Sequence, residues 1–339
     1  MKSPSIKVTK RDGESVRRSL IDANLLDIGL KITPDSDGDF LHLPIKRFLE
    51  DHEIEAMNLG RSILEISTKD FEPTVGRMTL EGILGYTPSY EVVGDIAILN
   101  PEEGFDLRSS AEAMLKVHKN IKVVLKPLTP VQGEFRVKNY EVITGEERTK
   151  TIHREYGCSY TIDLQKVYFS PRLSTERSRI ASLVNKDDTV IDMFAGVGSF
   201  VIPVAKKAKK VIAIDINPDA VRYMRRNIEV NKVENVEVFE GDSRDFSLKF
   251  SGVADRVIMN LPHTAQEFLT DAITMLKDNG TLHYYDMRHE DDLFLGAIKA
   301  IRGAAGNYSL QIDNKRKIRS YAPHQYNIVI DARIRKITG

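Results

Sequence analysis

Several features are scarce or absent in this chain of 339 residues, and each absence excludes a class of protein or a kind of site. Cys158 is the only cysteine, so no internal disulfide can form, and the eight histidines lack the spacing of a zinc site. No apolar run is long enough to span a bilayer, and no secretory signal follows Met1. Lysine plus arginine equals aspartate plus glutamate, at 49 each, so any RNA contact must come from local patches. We therefore expect a soluble cytoplasmic protein without a metal site.

Length and turn-forming residues divide the chain into predicted modules. The chain is longer than most single domains, so two or three are expected. Residues 1–65 are predicted to form a small module of strands and helices, and residues 66–88 collect glycine and proline as a linker does. Residues 89–166 are typical of a mixed α and β module with antiparallel strands. Residues 167–339 alternate strands with helices, which predicts a doubly wound sheet ending in an antiparallel pair.

The stretch 189–217, TVIDMFAGVGSFVIPVAKKAKKVIAIDIN, predicts a strand, a glycine turn, a crossover helix over 199–209 and a second strand. Gly196 and Gly198 let the backbone turn tightly and approach a ligand closely. Asp215 ends the second strand, where a carboxylate accepts hydrogen bonds from ribose hydroxyls. Together these features predict an adenosine-bearing ligand.

Two positions in this stretch argue against a dinucleotide. A dinucleotide fold favours a third glycine at position 201, where the chain has Val201, and it does not need Asp192 inside the first strand. The pattern D-x-F-A-G-x-G followed by an acid-ended strand is similar to that of class I methyltransferases. Their methyl donor, S-adenosylmethionine, has no pyrophosphate. A nicotinamide enzyme and a nucleotide fold without a ligand are the alternatives.

Asn260, Leu261 and Pro262 follow a buried strand that we count as the fourth of the predicted sheet. The carboxyl edge of such a sheet lines the ligand crevice. An asparagine there offers a donor and an acceptor to a base edge, and a proline stiffens the turn. The sequence N-L-P resembles the N-P-P-Y of amino methyltransferases and predicts a nucleobase nitrogen as the methyl acceptor. Otherwise Asn260 only caps a helix.

Five segments together carry a more specific resemblance. They are DMFAGVG at 192–198, AIDINPDA at 213–220, NLP at 260–262, VYFSPRLSTERSRI at 167–180 and SYAPHQY at 320–326. These segments are similar to those of the archaeal and eukaryotic tRNA (guanine-N1)-methyltransferase that modifies position 37, and the similarity extends over nearly the whole chain. The resemblance implies an α/β fold, a Rossmann-like class I methyltransferase sheet preceded by two small α+β domains.

The same resemblance implies roles for individual residues. The reaction residues would be Arg136, Glu176 and Asn260. The S-adenosylmethionine pocket would comprise Tyr168, Asp192, Phe194, Gly196, Gly198, Asp215, Asn217 and Asp242. We expect further substrate contacts at Arg172, Pro262, Lys317 and Arg319. The implied partner is tRNA, held at its anticodon loop by the catalytic domain and at its outer corner by the first module. We expect a monomer, and the sequence does not reveal whether Mg²⁺ assists.

The chemistry of guanine supports these roles independently. Its N1 carries a proton at neutral pH, so methylation needs a general base. Glu176 is the candidate, because a desolvated carboxylate is a stronger base. Arg136 would stabilise the negative charge that develops on O6, by about 3 kcal/mol per donor. Without the resemblance, Glu176 could simply pair with Arg179 or Lys166, and Arg136 could lie on a strand surface.

The target base must swing out of a stacked anticodon loop to react. Tyr168 and Phe194 are predicted stacking walls, although aromatic side chains near a sheet edge are often packing. The predicted phosphate contacts form one basic run, Lys315, Arg316, Lys317 and Arg319.

Rival activities use the same donor. The aminocarboxypropyltransferases of wybutosine synthesis resemble this family but carry Gly-Asn where this chain has Arg172 to Thr175, which favours methyl transfer here. A related methyltransferase branch acts on a tricyclic guanosine derivative at the same tRNA position, and the sequence leaves that second activity open. A non-catalytic RNA-binding protein and a small-molecule methyltransferase are the remaining alternatives, although the latter offers no reason for the two modules before residue 167.

Overall fold

The computed structural model describes residues 1–57, 59–74, 78–101, 104–129 and 137–337. The chain forms two compact units, Met1–Thr79 and Leu80–Gly339, each described here by itself. Within the described ranges, no helix combines the length and the apolar character needed to cross a membrane.

The first unit is a small sheet covered by a helix. Its elements are β1 (Lys2–Thr9), α1 (Gly13–Asp22), β2 (Thr33–Pro34), β3 (Phe40–Pro44), α2 (Asp51–Ala56) and β4 (Ile63–Asp70). The sheet order is β2-β3-β1-β4. Ile6 and Val8 of β1, with Leu43 of β3, form the core beneath Val16 and Leu20 of α1. This packing accounts for the buried apolar residues of β1, α1 and β3.

The first unit extends beyond the predicted boundary at residue 65. β4 pairs antiparallel with β1, from Lys2 opposite Asp70 to Val8 opposite Ile63. The outer edge of β1 would otherwise leave a row of backbone N–H and C=O groups unpaired. The pairing therefore carries the strand into the stretch that composition alone predicts as a linker.

The second unit begins with a four-stranded sheet and a hairpin. The elements are α3 (Leu80–Leu84), β5 (Tyr90–Val93), β6 (Ile96–Leu99), α4 (Leu107–Val117), β7 (Val123–Pro127), β8 (Tyr140–Gly145), β9 (Lys150–Glu155) and β10 (Cys158–Asp163). Strands β5-β6-β7-β8 form the sheet, and β9 pairs with β10. Asp106 caps α4 by accepting hydrogen bonds from the backbone N–H groups of Arg108 and Ser109.

The hairpin packs onto the segment that follows it. Tyr160 and Ile162 of β10 share a core with Val197 and Ile202. Asn227 adds polar links, because its Oδ1 accepts from the backbone N–H of Thr161 at 2.7 Å. The predicted modules 89–166 and 167–339 therefore share one hydrophobic core within a single compact unit.

The rest of the unit is the predicted doubly wound sheet. Its elements are α5 (Ser174–Leu183), β11 (Thr189–Asp192), α6 (Val201–Ala205), β12 (Lys210–Asp215), α7 (Pro218–Val230), β13 (Val236–Glu240), β14 (Ala254–Met259), α8 (Leu269–Met275), β15 (Leu276–His289), α9 (Leu295–Ala305), β16 (Tyr308–Ala322) and β17 (Gln325–Lys336). The strand order is β13-β12-β11-β14-β15-β17-β16. Strands β11 to β15 are parallel, and β17 is antiparallel to both of its neighbours. The predicted class I methyltransferase fold is confirmed.

The crossover helix is shorter than the predicted 199–209. α6 spans Val201–Ala205, and Pro203 lies in its first turn, where a missing N–H removes no helical hydrogen bond. The side chain of Asn235 donates to the carbonyls of Ala205 and Ala208, at 2.9 and 2.8 Å. These bonds satisfy carbonyls at the helix end, so the helix does not need to continue.

Candidate active site

A cleft of about 480 Å³ opens at the carboxyl edge of the parallel strands. Loops that follow β11, β12, β13 and β14 supply its walls, together with the segment before α5. The strand order reverses between β11 and β14, so the loops diverge and leave a crevice there. Many of the predicted site residues line it, namely Tyr168, Phe194, Gly196, Asp215, Asn217, Asp242, Asn260, Pro262 and Arg319.

The glycine turn after β11 fixes an acid at the cleft wall. Gly196 and Gly198 have φ values of +55° and +85°, a backbone region that side chains rarely adopt, and a Cβ on Gly198 would lie 3.2 Å from Met224. Asp215 Oδ2 accepts from the N–H of Gly196 at 2.6 Å, and its Oδ1 accepts from that of Asn217 at 2.9 Å. Burial raises the pKa of Asp215, although these two N–H groups oppose the effect.

Asp192 lies behind the cleft wall rather than in it, since its neighbours Met193 and Phe194 line the cleft. Its carboxyl is 1% exposed, and Oδ1 accepts from the N–H of Phe194 at 3.2 Å. Burial raises the pKa of Asp192 to about 7, and the nearby Asp215 adds to the rise. Oδ2 has no hydrogen-bond partner, and neither does the buried hydroxyl of Ser243 in the cleft.

Aromatic rings line the same end of the cleft. Phe194 and Phe268 meet edge to face with centroids 5.0 Å apart, and the guanidinium of Arg244 lies 4.9 Å from the ring of Phe268. The hydrogen bond from Arg244 lowers the pKa of Asp242 despite its partial burial. Apolar rings beside Asp215 suit an adenosine, which presents a flat base and ribose hydroxyls.

Asn217 ties two walls of the cleft together. Its Oδ1 accepts from the N–H groups of Asp219 and Ala220 as the cap of α7. Its Nδ2 donates to the carbonyl of Lys166 at 3.0 Å. Tyr168 follows two residues later and lines the cleft. Asn217 therefore acts on the donor end of the cleft by holding the backbone of two segments.

The loop after β14 forms the other end of the cleft. Asn260 and Pro262 line this end, and the carbonyl of Pro262 accepts from the N–H of Met287 at 3.0 Å. The helical turn that follows is capped at Thr264 rather than at Asn260. Asn260 therefore does not cap this turn, so the alternative that it only caps a helix is wrong, and the residue lines the cleft.

Asn327 lies at this end of the cleft and was missed by the sequence reasoning. It is 2% exposed, and its Oδ1 has no hydrogen-bond partner. It pairs in register with Arg319, whose Nε is also buried without a partner. Both side chains line the cleft. One signal was available, since Asn327 directly precedes the apolar run IVI at the start of the last strand.

Glu176 is not among the residues that line the cleft. It lies in the first turn of α5 and is 2% exposed. Arg179 donates to both of its carboxylate oxygens, at 2.6 and 2.9 Å, and the hydroxyl of Tyr285 donates to Oε1 at 2.8 Å. The structure thus contains the pairing with Arg179 that sequence reasoning weighed as an alternative. Its neighbour Arg177 does line the cleft and is held by Glu155.

Two other predicted residues, Arg172 and Lys317, lie elsewhere. Arg172 is half-exposed, and its Nε lies 3.5 Å from Glu91. Lys317 places its ammonium 3.6 Å from the centroid of the Tyr326 ring, on the exposed side of β16. Arg136 lies outside the described residues.

Models of three families match successive parts of this chain. The TRM5/TYW2 methyltransferase domain matches residues 151–313, the tRNA methyltransferase 5 N-terminal domain matches residues 5–53, and the TYW2 N-terminal domain matches residues 76–149.

Similarity to individual proteins extends further along the chain. The tRNA (guanine(37)-N(1))-methyltransferase Trm5b of Pyrococcus abyssi is 40% identical, over 97% of this chain and 98% of its own length. A tRNA(Phe) (4-demethylwyosine(37)-C(7)) aminocarboxypropyltransferase of Methanocaldococcus jannaschii is 38% identical over 73% of this chain and 98% of its own. The structure of aTrm5 in complex with tRNALeu superimposes with a TM-score of 0.72 at 35% identity, covering 97% of this chain and 99% of that one.

Proposed function

This chain belongs to the TRM5/TYW2 methyltransferase family and is a tRNA (guanine(37)-N(1))-methyltransferase, and on that premise we propose which of its residues carry the reaction. The observation that carries the assignment is similarity over 97% of the chain, which includes the first unit. The aminocarboxypropyltransferase relative is covered almost entirely yet matches only 73% of this chain.

S-adenosylmethionine is the methyl donor, and the residues at one end of the cleft fit it. Asp215 presents a carboxylate for the ribose hydroxyls, while Phe194 and Phe268 form an apolar wall against which the adenine ring can pack. The turn at Gly196 allows close approach of the backbone. When bound, the sulfonium supplies an electrophilic methyl group.

The opposite end of the cleft receives the guanine. The amide of Asn260 donates to and accepts from the base edge, and Pro262 stiffens the loop that aims it. Asn327 Oδ1 and Arg319 Nε are a buried acceptor and a buried donor without partners. The edge of a guanine carries both donors and acceptors, so a bound guanine would supply hydrogen-bond partners to these two buried atoms.

Glu176 takes the N1 proton in this proposal, as the resemblance predicts. The position of Glu176 supports this role. Glu176 accepts a hydrogen bond from Tyr285 on β15, and Met287, two residues further along β15, lines the cleft. Residues i and i+2 share a face of a strand and lie about 7 Å apart. The carboxylate must leave Arg179 to reach the base. Arg136 keeps its proposed role of stabilising O6.

Apart from the target guanine, the tRNA would bind outside the cleft. Arg172 and Lys317 are exposed cations of the second unit, suited to phosphates of the anticodon loop. The first unit, which contains the predicted module 1–65, would contact the outer corner of the tRNA. We propose that the protein acts as a cytoplasmic monomer.

One experiment tests the function as a whole. The protein is incubated with labelled S-adenosylmethionine and unmodified tRNA transcripts that carry guanosine or adenosine at position 37, and digested nucleosides are identified by mass spectrometry. We expect N1-methylguanosine only from the guanosine transcript. An aminocarboxypropyl product, or methylation confined to tRNA that carries a tricyclic guanosine derivative, would assign the protein to a rival activity.

A further inference from the structure

The carboxylate of Glu176 is fully occupied in this structure. Both oxygens accept hydrogen bonds from Arg179, and Oε1 also accepts from the hydroxyl of Tyr285. Arg316 approaches Oε2 at 3.9 Å from β16. A carboxylate in this arrangement reaches a substrate only by giving up its bonds with Arg179. The ease of that exchange then depends on what else holds the arginine.

Arg179 has a second carboxylate partner, Asp331 of β17. Its Nη1 donates to Asp331 Oδ2 at 2.6 Å, and its Nη2 donates to Oδ1 at 3.2 Å. The Arg179 side chain is 16% exposed, and that of Asp331 is 4% exposed. A buried guanidinium left without a partner is strongly unfavourable, because its desolvation is uncompensated. With Asp331 in place, the departure of Glu176 leaves Arg179 still ion-paired.

Asp331 is itself held from two other strands. Nδ1 of His283 on β15 lies 2.7 Å from Asp331 Oδ1, and Asn314 on β16 donates to Oδ2 at 2.9 Å. Burial alone would raise the pKa of Asp331, but the bonds from His283 and Arg179 lower it well below its usual range. Asp331 therefore stays ionised, and since an ionised carboxylate only accepts, Nδ1 is the protonated nitrogen of His283.

The sheet places these groups in successive rows beneath the cleft. His283 pairs with Asp331, Tyr285 with Val329, and Met287 with Asn327, all in register between β15 and β17. Met287 and Asn327 line the cleft. Glu176 bonds to the middle row at Tyr285. Asp331 thus holds Arg179 from the row farthest from the cleft, and Glu176 lies on the side nearer to it.

We propose that Asp331 is a positioning residue for methyl transfer: it retains Arg179, so that Glu176 can leave this arginine and take the proton from guanine N1. The inference rests on the proposed role of Glu176 as the base. Asp331 itself does not contact donor or guanine, and His283 and Asn314 serve only to keep it in place.

Single-turnover methyl transfer at saturating S-adenosylmethionine tests the proposal with the intact chain and a tRNA transcript bearing guanosine 37. Asp331→Asn is expected to slow the step at least about tenfold, because the lone charge of Arg179 then holds Glu176 more tightly. The affinity for S-adenosylmethionine, measured by calorimetry, should stay within about twofold. The matched control is Asp313→Asn, which removes a carboxylate that pairs with Arg333 2.9 Å away on an exposed part of the same strand pair. It should leave the rate unchanged.

The same substitution made in a Glu176→Gln background separates positioning from a merely structural role. Once the base is gone, Asp331→Asn should cause no further loss, since it acts through Glu176. An equal loss in both backgrounds, or no loss in the otherwise wild-type chain, overturns the proposal. If Glu176→Gln alone keeps the wild-type rate, the proposed role of Glu176 as the base and this inference are overturned together.

Asn314→Ala is the second variant, needed because loss of a buried charge can unfold a protein. It removes a single hydrogen bond to Asp331, at 2.9 Å, from the less buried strand β16. We expect the rate to fall by about threefold in the wild-type chain and not at all in the Glu176→Gln background. If Asp331→Asn shows no cooperative thermal transition, a wild-type rate for folded Asn314→Ala overturns the proposal.

Discussion

Two of the acids in the cleft or beside it, Asp215 and Glu176, have different surroundings. Asp215 at the end of β12 lines the cleft and accepts hydrogen bonds only from the backbone N–H groups of Gly196 and Asn217. Glu176 in α5 is buried next to the cleft and is ion-paired with Arg179. Asp215 can bind a ribose as it stands, whereas Glu176 must first exchange a partner. Under the proposed mechanism, the donor site is therefore preformed, whereas the proton acceptor becomes available only on binding of tRNA.

The largest expected effect comes from Glu176→Gln. The amide cannot accept the N1 proton, so single-turnover methyl transfer should fall by about 100-fold or more. The affinity for S-adenosylmethionine should stay within about twofold, because Glu176 does not line the cleft. Rapid-quench kinetics and calorimetry measure the two quantities. Comparable turnover by the variant would remove Glu176 from the mechanism.

Asp215→Ala should weaken donor binding and leave the methyl-transfer step nearly unchanged, the reverse of the result expected for Glu176→Gln. Loss of a carboxylate that accepts from ribose hydroxyls should weaken S-adenosylmethionine binding by about 10- to 50-fold. The rate at saturating donor should change little. Asp219→Asn is the matched control, since that acid also follows β12 but pairs with Arg222 at the surface. A similar loss of affinity in both variants would mean that Asp215 has no special role.

Asn327→Ala probes the guanine end of the cleft. Its Oδ1 is buried without a partner, so removal of the amide should not destabilise the free protein. The kcat/KM for tRNA should fall by about tenfold, while donor affinity is unaffected. Steady-state kinetics with varied tRNA and a thermal melt provide the check. An unchanged kcat/KM would place Asn327 outside guanine recognition.

The remaining effect is on stability rather than on catalysis, and it concerns Asp192, the acid behind the donor site. Its pKa is about 7 in the folded chain against an ordinary value of 3.8, so the native state holds a proton that the unfolded state releases. Its contribution to the free energy of unfolding is therefore present at low pH and is lost as pH rises from about 4 to 7. Asp192→Asn should raise the free energy of unfolding by roughly 4 kcal/mol at pH 8 and by almost nothing at pH 4. Denaturant unfolding at both pH values measures this, and an equal change at both would contradict the raised pKa.

Much of the donor site could be predicted from sequence because its determinants are local. Gly196, Gly198 and Asp215 lie within one strand-turn-helix-strand unit, and the strands on either side place them at one edge of the sheet. The position of Asn260 could be predicted in the same way, because a residue that follows a parallel strand lies at the carboxyl edge of the sheet, where the ligand crevice is. Short apolar strands separated by helices likewise predicted the sheet and its antiparallel ending, which the structure confirms.

The partners of Glu176 and of Arg179 could not be predicted in full, because most of them are distant in sequence. Arg179 lies one helical turn away and was a visible candidate, but Tyr285 and Asp331 belong to strands more than 100 residues further along. Their proximity depends on the insertion of β17 between β15 and β16 and on its register. Tertiary pairing of this kind has no local signal in the chain.

The most direct test is a crystal structure of the protein with S-adenosylhomocysteine and a tRNA that carries unmodified guanosine 37. We predict that an oxygen of Glu176 lies about 3 Å from guanine N1, while Arg179 remains bonded to Asp331. If Glu176 is still bonded to Arg179 and Tyr285 with the guanine seated beside the donor, and another group contacts N1, the account of the reaction is contradicted.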